Sequence, residues 1–143
     1  MTIRRKLEVH VRRLLQHEWA LAFPVISQLR LLDEAEYLRR IAIQSLASFE
    51  LVGAFAGERL IGVLGMRPVH TLARGPYVHV DDLIVSKEAR GSGAGHVLME
   101  FAEVDARERG MKAVFLDARP EAVPFYESRD YALHSAPSMK KAI

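Results

Sequence analysis

The chain contains no cysteine. Disulfides, thiolate metal centres and a cysteine nucleophile are therefore excluded, and with them any route that carries an acyl group on a thiol of the protein. This absence suits a cytoplasmic enzyme without fixing the compartment. No apolar run approaches the roughly 20 residues of a membrane span. The longest, Trp19 to Ile26, is interrupted by Pro24. The opening Met1-Thr2-Ile3-Arg4-Arg5-Lys6 is basic, yet no apolar signal core follows it, and it reads as the lead-in to a first strand. The formal charge is only +2, with no long basic run, which gives no ground for a nucleic-acid partner. Repeats and low-complexity linkers are lacking too. There remain 143 residues, 50% hydrophobic and 27% charged, enough to bury a core as one domain over 1–143.

The periodicity divides the chain into elements. Lys6 to Val11 forms a short strand. His17 to Leu31 reads as a helix, with Ala22, Val25, Ile26 and Leu29 on one stripe and Pro24 kinking or dividing it. Asp33 is a candidate N-cap, with Glu36 three residues on, for a second helix to about Ser45 with Leu38 and Ile41 facing inward. From Phe49 the period changes to two. A strand to Phe55, a turn at Gly57-Glu58-Arg59 and a return from Leu60 to Met66 make a hairpin. Pro68 to Pro76 is expected as a loop, and Tyr77 to Val85 as the central strand. His96 to Arg109 is a long helix with Val97, Phe101 and Val104 on one face, Leu98 beside them, and Gly110 as its C-terminal cap. Ala113 to Leu116 is a buried-type strand. A short helix at Val123 to Ser128, with Pro124 in its first turn, precedes closing strands at Tyr131 to His134 and Ser138 to Ala142.

The segment Val80-Asp81-Asp82-Leu83-Ile84-Val85-Ser86-Lys87-Glu88-Ala89-Arg90-Gly91-Ser92-Gly93-Ala94-Gly95 carries the most information. An apolar strand bearing two acids enters a glycine-rich turn that opens onto a helix. Backbone N–H groups at such a turn form an anion site suited to a pyrophosphate. A P-loop would end in Gly-Lys-Ser/Thr, whereas here Gly95-His96 stands, so nucleotide hydrolysis is not expected. The dinucleotide fingerprint G-x-G-x-x-G fails because position 96 is His.

A third pattern, Arg90-x-x-Gly93-x-Gly95, resembles the Arg/Gln-x-x-Gly-x-Gly/Ala signature of the Gcn5-related N-acetyltransferase (GNAT) superfamily. Downstream, Ala122-x-x-Phe125-Tyr126-Glu127 resembles that superfamily's Ala-x-x-Phe/Leu-Tyr-Glu segment. The element order is similar over nearly the whole chain. The resemblance implies an α/β (α+β) fold with a mixed, mostly antiparallel central sheet flanked by helices, in the order β-α-α-β-β-β-α-β-α-β(-β). It also implies transfer of an acetyl group from acetyl-CoA to a primary amine by direct attack in a ternary complex, without a metal.

By that resemblance the backbone of Leu83, Ile84 and Val85 would pair with the pantetheine arm and stabilise the oxyanion. Arg90, Gly91, Ser92, Gly93, Ala94 and Gly95 would hold the pyrophosphate. Arg119 stands where many members have Asn, and would meet a CoA phosphate. Tyr126 would protonate the leaving thiolate, as a phenol of pKa about 10 can. Packing of its ring in the core is the bland alternative. Asp130 replaces the usual Gly before the last strand, so the turn there is expected to differ.

Asp81 and Asp82 align with the Glu-Asp pair of polyamine acetyltransferases. One of them would take the proton of the acceptor amine, and the pair would draw a small cationic amine; salt-bridged structural acids are the alternative. As neighbours on a regular strand they should point to opposite faces. His79, two residues earlier, has a pKa range suited to a general base. The other His residues show no metal-ligand spacing. Between Asp81, Asp82 and His79 the sequence does not choose. The acceptor site should lie between the N-terminal helices, the loop Pro68 to Pro76 and the end of the chain, with Trp19, Phe23, Arg30 and Tyr37 as candidates to line it and packing or surface as the alternative. Aminoalkylphosphonates, a peptide N-terminus, or a non-catalytic acyl-CoA-binding role stay open as rival readings. No membrane partner is expected, and monomer or homodimer is left open.

Overall fold

A computed structural model describes residues 8–143. Five strands form one sheet in the order β1-β2-β3-β4-β5. They are β1 Val9–Arg13, β2 Glu50–Ala56, β3 Arg59–Thr71, β4 Gly75–Val85 and β5 Val114–Leu116. All neighbours are antiparallel except β4 and β5. The helices are α1 Trp19–Ile26, α2 Glu34–Ser45, α3 Ala94–Glu108 and α4 Val123–Glu127. The expected mixed, mostly antiparallel sheet with flanking helices is therefore present. The first strand lies slightly later than expected, and its start at Lys6, like the basic lead-in, falls outside the described residues.

Two cores sandwich the sheet. On one face α1 and α2 bury Ala22, Val25, Ile26, Tyr37 and Ile41 against Leu51, Val63 and Ile84. On the other, α3 buries Leu98, Met99 and Ala102 against Val52, Leu64, Val78 and Val80. Both faces of the central strands are covered, so β2 from Leu51 and β3 from Leu60 to Met66 are apolar throughout rather than alternating. Asp33 caps α2 by accepting the Glu36 N–H at 2.8 Å, as its spacing requires. Helix α1 ends at Ile26, two residues past Pro24, and tight turns carry the chain to Arg30.

Four expectations need correction. Pro68 to Pro76 is no loop: β3 and β4 pair from Gly62↔Val85 out to Thr71↔Gly75, and the reversal is confined to the residues between. Beyond Met66 and before Val78 this ladder has lost its outer partners β2 and β5, so both prolines sit on a two-stranded arm whose open edges tolerate a missing N–H. The buried face of α3 is Leu98, Met99, Ala102, Asp105 and Ala106, while Val97 and Phe101 flank it and Val104 is exposed. Leu98, Met99, Ala102 and Ala106 pack in the core, and Asp105 is buried beside them with its charge paired. The buried Asp105 carboxylate accepts from Arg13 at 2.6 Å and Arg109 at 2.8 Å, and both arginines also reach Glu50. Closing strands at Tyr131–His134 and Ser138–Ala142 are absent. Asp130 takes a left-handed φ of 70°, the Tyr131 hydroxyl donates to Glu103 at 2.8 Å, and Leu133 is 87% exposed, so no burial rewards a further strand.

The fourth correction concerns the acids. Gly65 pairs with Asp82 but Met66 pairs with Val80, leaving Asp81 as an extra residue. This β-bulge resets the alternation of β4. Val80 lies in the α3 core, and so do Leu83 and Val85, while Ile84 faces α1 and α2. Asp81 and Asp82 consequently line the same cavity instead of opposite faces.

Candidate active site

Three pieces of chain meet around the C-terminal half of β4. The first is β4 itself. Its pairing with β5 stops at Val80↔Leu116, so Asp81 to Val85 has no strand on that edge among the described residues. The second is the glycine turn. Ser86 is buried and bonds β3 through its N–H to the Ile61 carbonyl at 2.8 Å. Gln28, from the end of α1, straps the entrance: its amide donates to Ser86 Oγ and its oxygen accepts the Lys87 N–H. Gly91 and Gly93 then adopt φ of 82° and 87°. A Cβ at either would meet nothing within 4 Å, so dihedral angle rather than crowding demands glycine there. No side chain caps α3 in the usual way; Ser92 Oγ accepts only the Ala94 N–H, at 3.3 Å. The amides of the first helical turn have no acceptor within the helix, and the helix dipole adds positive character there.

The third piece is α4. A Cβ on Gly95 would lie 3.3 Å from Phe125 Cζ, which shows how closely α4 docks on the start of α3. Tyr126 follows, half-buried, its ring 5.1 Å from that of Phe125 and 5.9 Å from that of Tyr131. Burial raises its hydroxyl pKa, an effect the Arg119 charge partly offsets. Its hydroxyl makes no side-chain hydrogen bond among the described residues, so it is free to donate. Arg90 and Arg119 are exposed, and Arg119 meets Glu121 at 3.3 Å.

His79, Asp81 and Arg67 form one hydrogen-bonded group. His79 Nδ1 lies 3.1 Å from Asp81 Oδ1, and Arg67 grips both oxygens of Asp81, at 2.8 and 3.3 Å. Arg67 faces His79 directly across the β3–β4 ladder. Burial would raise the Asp81 pKa, but the bonds from His79 and Arg67 outweigh it and the net shift is downward. Asp82 behaves oppositely. Burial raises its pKa, Arg30 only partly offsets this, and the Asp81 charge adds to the rise. Arg30 Nε donates to Asp82 Oδ1 at 2.9 Å, while Oδ2 has no donor among the described residues.

Two voids flank these groups. His79, Arg67 and Tyr126 line an open groove of about 1510 Å³ that runs past β5. Asp81 and Asp82 line a cavity of about 400 Å³ under α1 and α2. The His79–Asp81 bond, between residues two apart on β4, joins a lining residue of the groove to one of the cavity along the strand. Arg30 and Tyr37 do line the cavity, whereas Trp19 and Phe23 serve the core. The Tyr37 hydroxyl donates to the Trp19 carbonyl at 2.7 Å and burial raises its pKa, so it is a structural bond. Arg67, Gly65 and Gln28 escaped the sequence reading. Arg67 would have emerged only from the hairpin register, which an assumed loop conceals. No group of three or more His, Asp or Glu among the described residues could hold a metal. No helix among them is long and apolar enough to cross a membrane.

Comparison with known proteins now decides the family. The profile of the acetyltransferase (GNAT) domain matches residues 30–143, which include the whole bulge, glycine turn and Tyr126. This chain belongs to the GNAT family. A Bacillus subtilis (strain 168) protein described as the uncharacterized N-acetyltransferase YhdJ is 28% identical over 127 residues, 85% of this chain and 89% of that protein. Glucosamine 6-phosphate N-acetyltransferase of Trypanosoma brucei brucei is 28% identical over 113 residues, 78% of this chain and 74% of that protein. Among solved structures, a ribosomal-protein-alanine N-acetyltransferase from Brucella melitensis biovar Abortus 2308 superposes with a TM-score of 0.80 at 20% identity, covering 95% of this chain and 99% of that one. At that identity the likeness speaks for the fold. The GNAT domain is an acyltransferase domain, and this chain is an enzyme of the N-acetyltransferase class.

Proposed function

We propose that this GNAT enzyme transfers an acetyl group from acetyl-CoA to a primary amine in one step, with both substrates bound together. The observation that carries this reading is the unpaired edge of β4 from Asp81 to Val85, running straight into the Gly91–Gly93 turn with Tyr126 docked beside it. An acyl-CoA fits these features. The free strand edge offers backbone groups of Leu83, Ile84 and Val85 to a pantetheine amide. The turn formed by Gly91, Ser92, Gly93, Ala94 and Gly95 offers amides to a pyrophosphate. Arg90 and Arg119 are exposed cations suited to the outer phosphates. When bound, acetyl-CoA supplies the acyl group already activated as a thioester.

The side chains then divide the proton transfers. Asp82 Oδ2, free of donors and raised in pKa by burial, accepts the proton that the ammonium must lose before its nitrogen can attack. As the new C–N bond forms and the C–S bond breaks, the Tyr126 hydroxyl gives its proton to the departing sulfur, and the second proton that the nitrogen sheds in becoming an amide restores that hydroxyl. Backbone N–H groups of the bulge hold the oxyanion. Asp81 has both oxygens engaged and acts as a positioning residue that orients His79 and Arg67. His79 is the second candidate base, since it lines the groove shared with Tyr126. A cytoplasmic location fits a reaction that consumes acetyl-CoA.

The test is acetyl-CoA-dependent release of free thiol across a panel of amines. Turnover well above background hydrolysis, abolished in Tyr126→Phe without loss of CoA binding, supports the reading. CoA binding with no turnover for any amine would favour an acyl-CoA-binding role.

A further inference from the structure

The cavity beneath α1 and α2 has a composition unlike its rim. Its wall is formed by Ile26, Leu32, Ile41, Ile43, Phe49 and Leu51, with Tyr37 beside them. Tyr37 brings no free hydroxyl, because that group is already committed to the Trp19 carbonyl. Four charged residues and Gln44 border the space. Arg40 donates to Glu36 at 2.8 Å, and Arg30 donates to Asp82 Oδ1 and to the Asp81 carbonyl. Both oxygens of Asp81 are held by Arg67 and His79. Among the described residues the one carboxylate oxygen at this cavity that lacks a partner is Asp82 Oδ2. It lies against Gly65, where an added Cβ would come within 3.0 Å of it.

A ligand that suits such a space has one cationic or donor group and an otherwise apolar body. A sugar phosphate would bring hydroxyls that six aliphatic or aromatic walls cannot satisfy, and an aminoalkylphosphonate has no apolar body to cover those walls. A polyamine would bury a second ammonium against the same walls. A volume of about 400 Å³ is within the usual range for small-ligand sites.

We infer that the acceptor is a primary amine on an apolar body, of the arylalkylamine or alkylamine type, seated in this cavity with its nitrogen at Asp82. The inference rests on the acetyltransferase reading for its chemistry, but the seat itself can be tested without turnover.

The experiment compares 2-phenylethylamine with spermidine, glucosamine 6-phosphate and 2-aminoethylphosphonate as acceptors, and measures binding of 2-phenylethylamine by calorimetry in parallel. Ile43 is the lever, because it lines the cavity yet is 69% exposed, so Ile43→Arg and Ile43→Ser should both fold. The expected result is a kcat/KM for 2-phenylethylamine at least about tenfold above the polar amines, with its affinity lowered about tenfold in Ile43→Arg and less in Ile43→Ser. Preference for spermidine or a phosphorylated amine overturns the inference and leaves the acetyltransferase reading standing. If no amine is acetylated, 2-phenylethylamine binding that Ile43→Arg weakens still supports the apolar seat, while the reading of acetyl transfer fails. Absence of binding, or binding indifferent to Ile43→Arg, overturns the inference.

Discussion

Gly65 stands directly opposite Asp82 in the β3–β4 ladder, and its missing side chain is what leaves room for the carboxylate. A Cβ there would lie 3.0 Å from Asp82 Oδ2 and 2.6 Å from Phe49 Cζ. The glycine thus shapes both the polar end and the apolar wall of the cavity. Gly65→Ala should cost about 1–3 kcal/mol of stability, the usual range for overpacking a filled core. Urea unfolding measures that cost. Kinetics should show a fall in kcat/KM for the amine larger than any change in KM for acetyl-CoA.

Asp82→Asn should lower kcat/KM at neutral pH by about 100-fold, a typical worth of a positioned base. It should also remove the acid limb of the pH profile. In the native enzyme that limb lies above the ordinary aspartate value of 3.8, because burial raises the Asp82 pKa. The linkage has a definite sign. The folded state holds the Asp82 proton more tightly than the unfolded chain does. Its stabilising contribution is therefore full below about pH 4 and is lost as pH rises through the folded pKa. Asp81 contributes the reverse, stability present above the unfolded value and lost on acidification through its lowered pKa. Unfolding of wild type, Asp82→Asn and Asp81→Asn across acidic pH separates the two.

Tyr126→Phe keeps the ring that packs on Phe125 and Tyr131 and removes only the hydroxyl. The fold should be unchanged by circular dichroism. The kcat should fall by about 100-fold or more if that hydroxyl serves as general acid. CoA affinity by calorimetry should stay at the wild-type value.

Gly93→Ala forces an L side chain into φ 87° at the helix cap, with no steric contact to complicate the result. The backbone cost should be about 1–2 kcal/mol. The turn should relax away from its amide-presenting shape, and KM for acetyl-CoA should rise. Gly57→Ala, at φ 61° in the β2–β3 turn, is the control: similar strain, no effect on KM.

Asp105→Ala removes the carboxylate that joins Arg13 of β1 to Arg109 after α3. Both arginines are partly exposed and keep Glu50, so the loss should be about 1–2 kcal/mol rather than the larger figure for a sealed pair. Thermal unfolding should shift down while kcat at low temperature stays put.

Local chemistry determined much of this protein before any tertiary contact is considered. The Asp33–Glu36 cap, the hairpin turn at Gly57 and the left-handed glycines of the turn are each set within a few residues, because capping and dihedral preference act over that range. The pairing of that turn with Tyr126 made the family legible as well. Tertiary structure decided the rest. Whether Asp81 and Asp82 diverge or share a cavity depends on a one-residue slip against Gly65 and Met66, and register is a property of two strands together. The face of α3 that is buried carries Leu98, Met99, Ala102 and Ala106 together with Asp105, and Asp105 is paired by Arg13, which lies far away in the sequence. The proposed choice of Asp82 over Asp81 as proton acceptor was invisible for the same reason: two adjacent, identical residues differ in which neighbours reach them, Arg67 and His79 for Asp81 and Arg30 for Asp82.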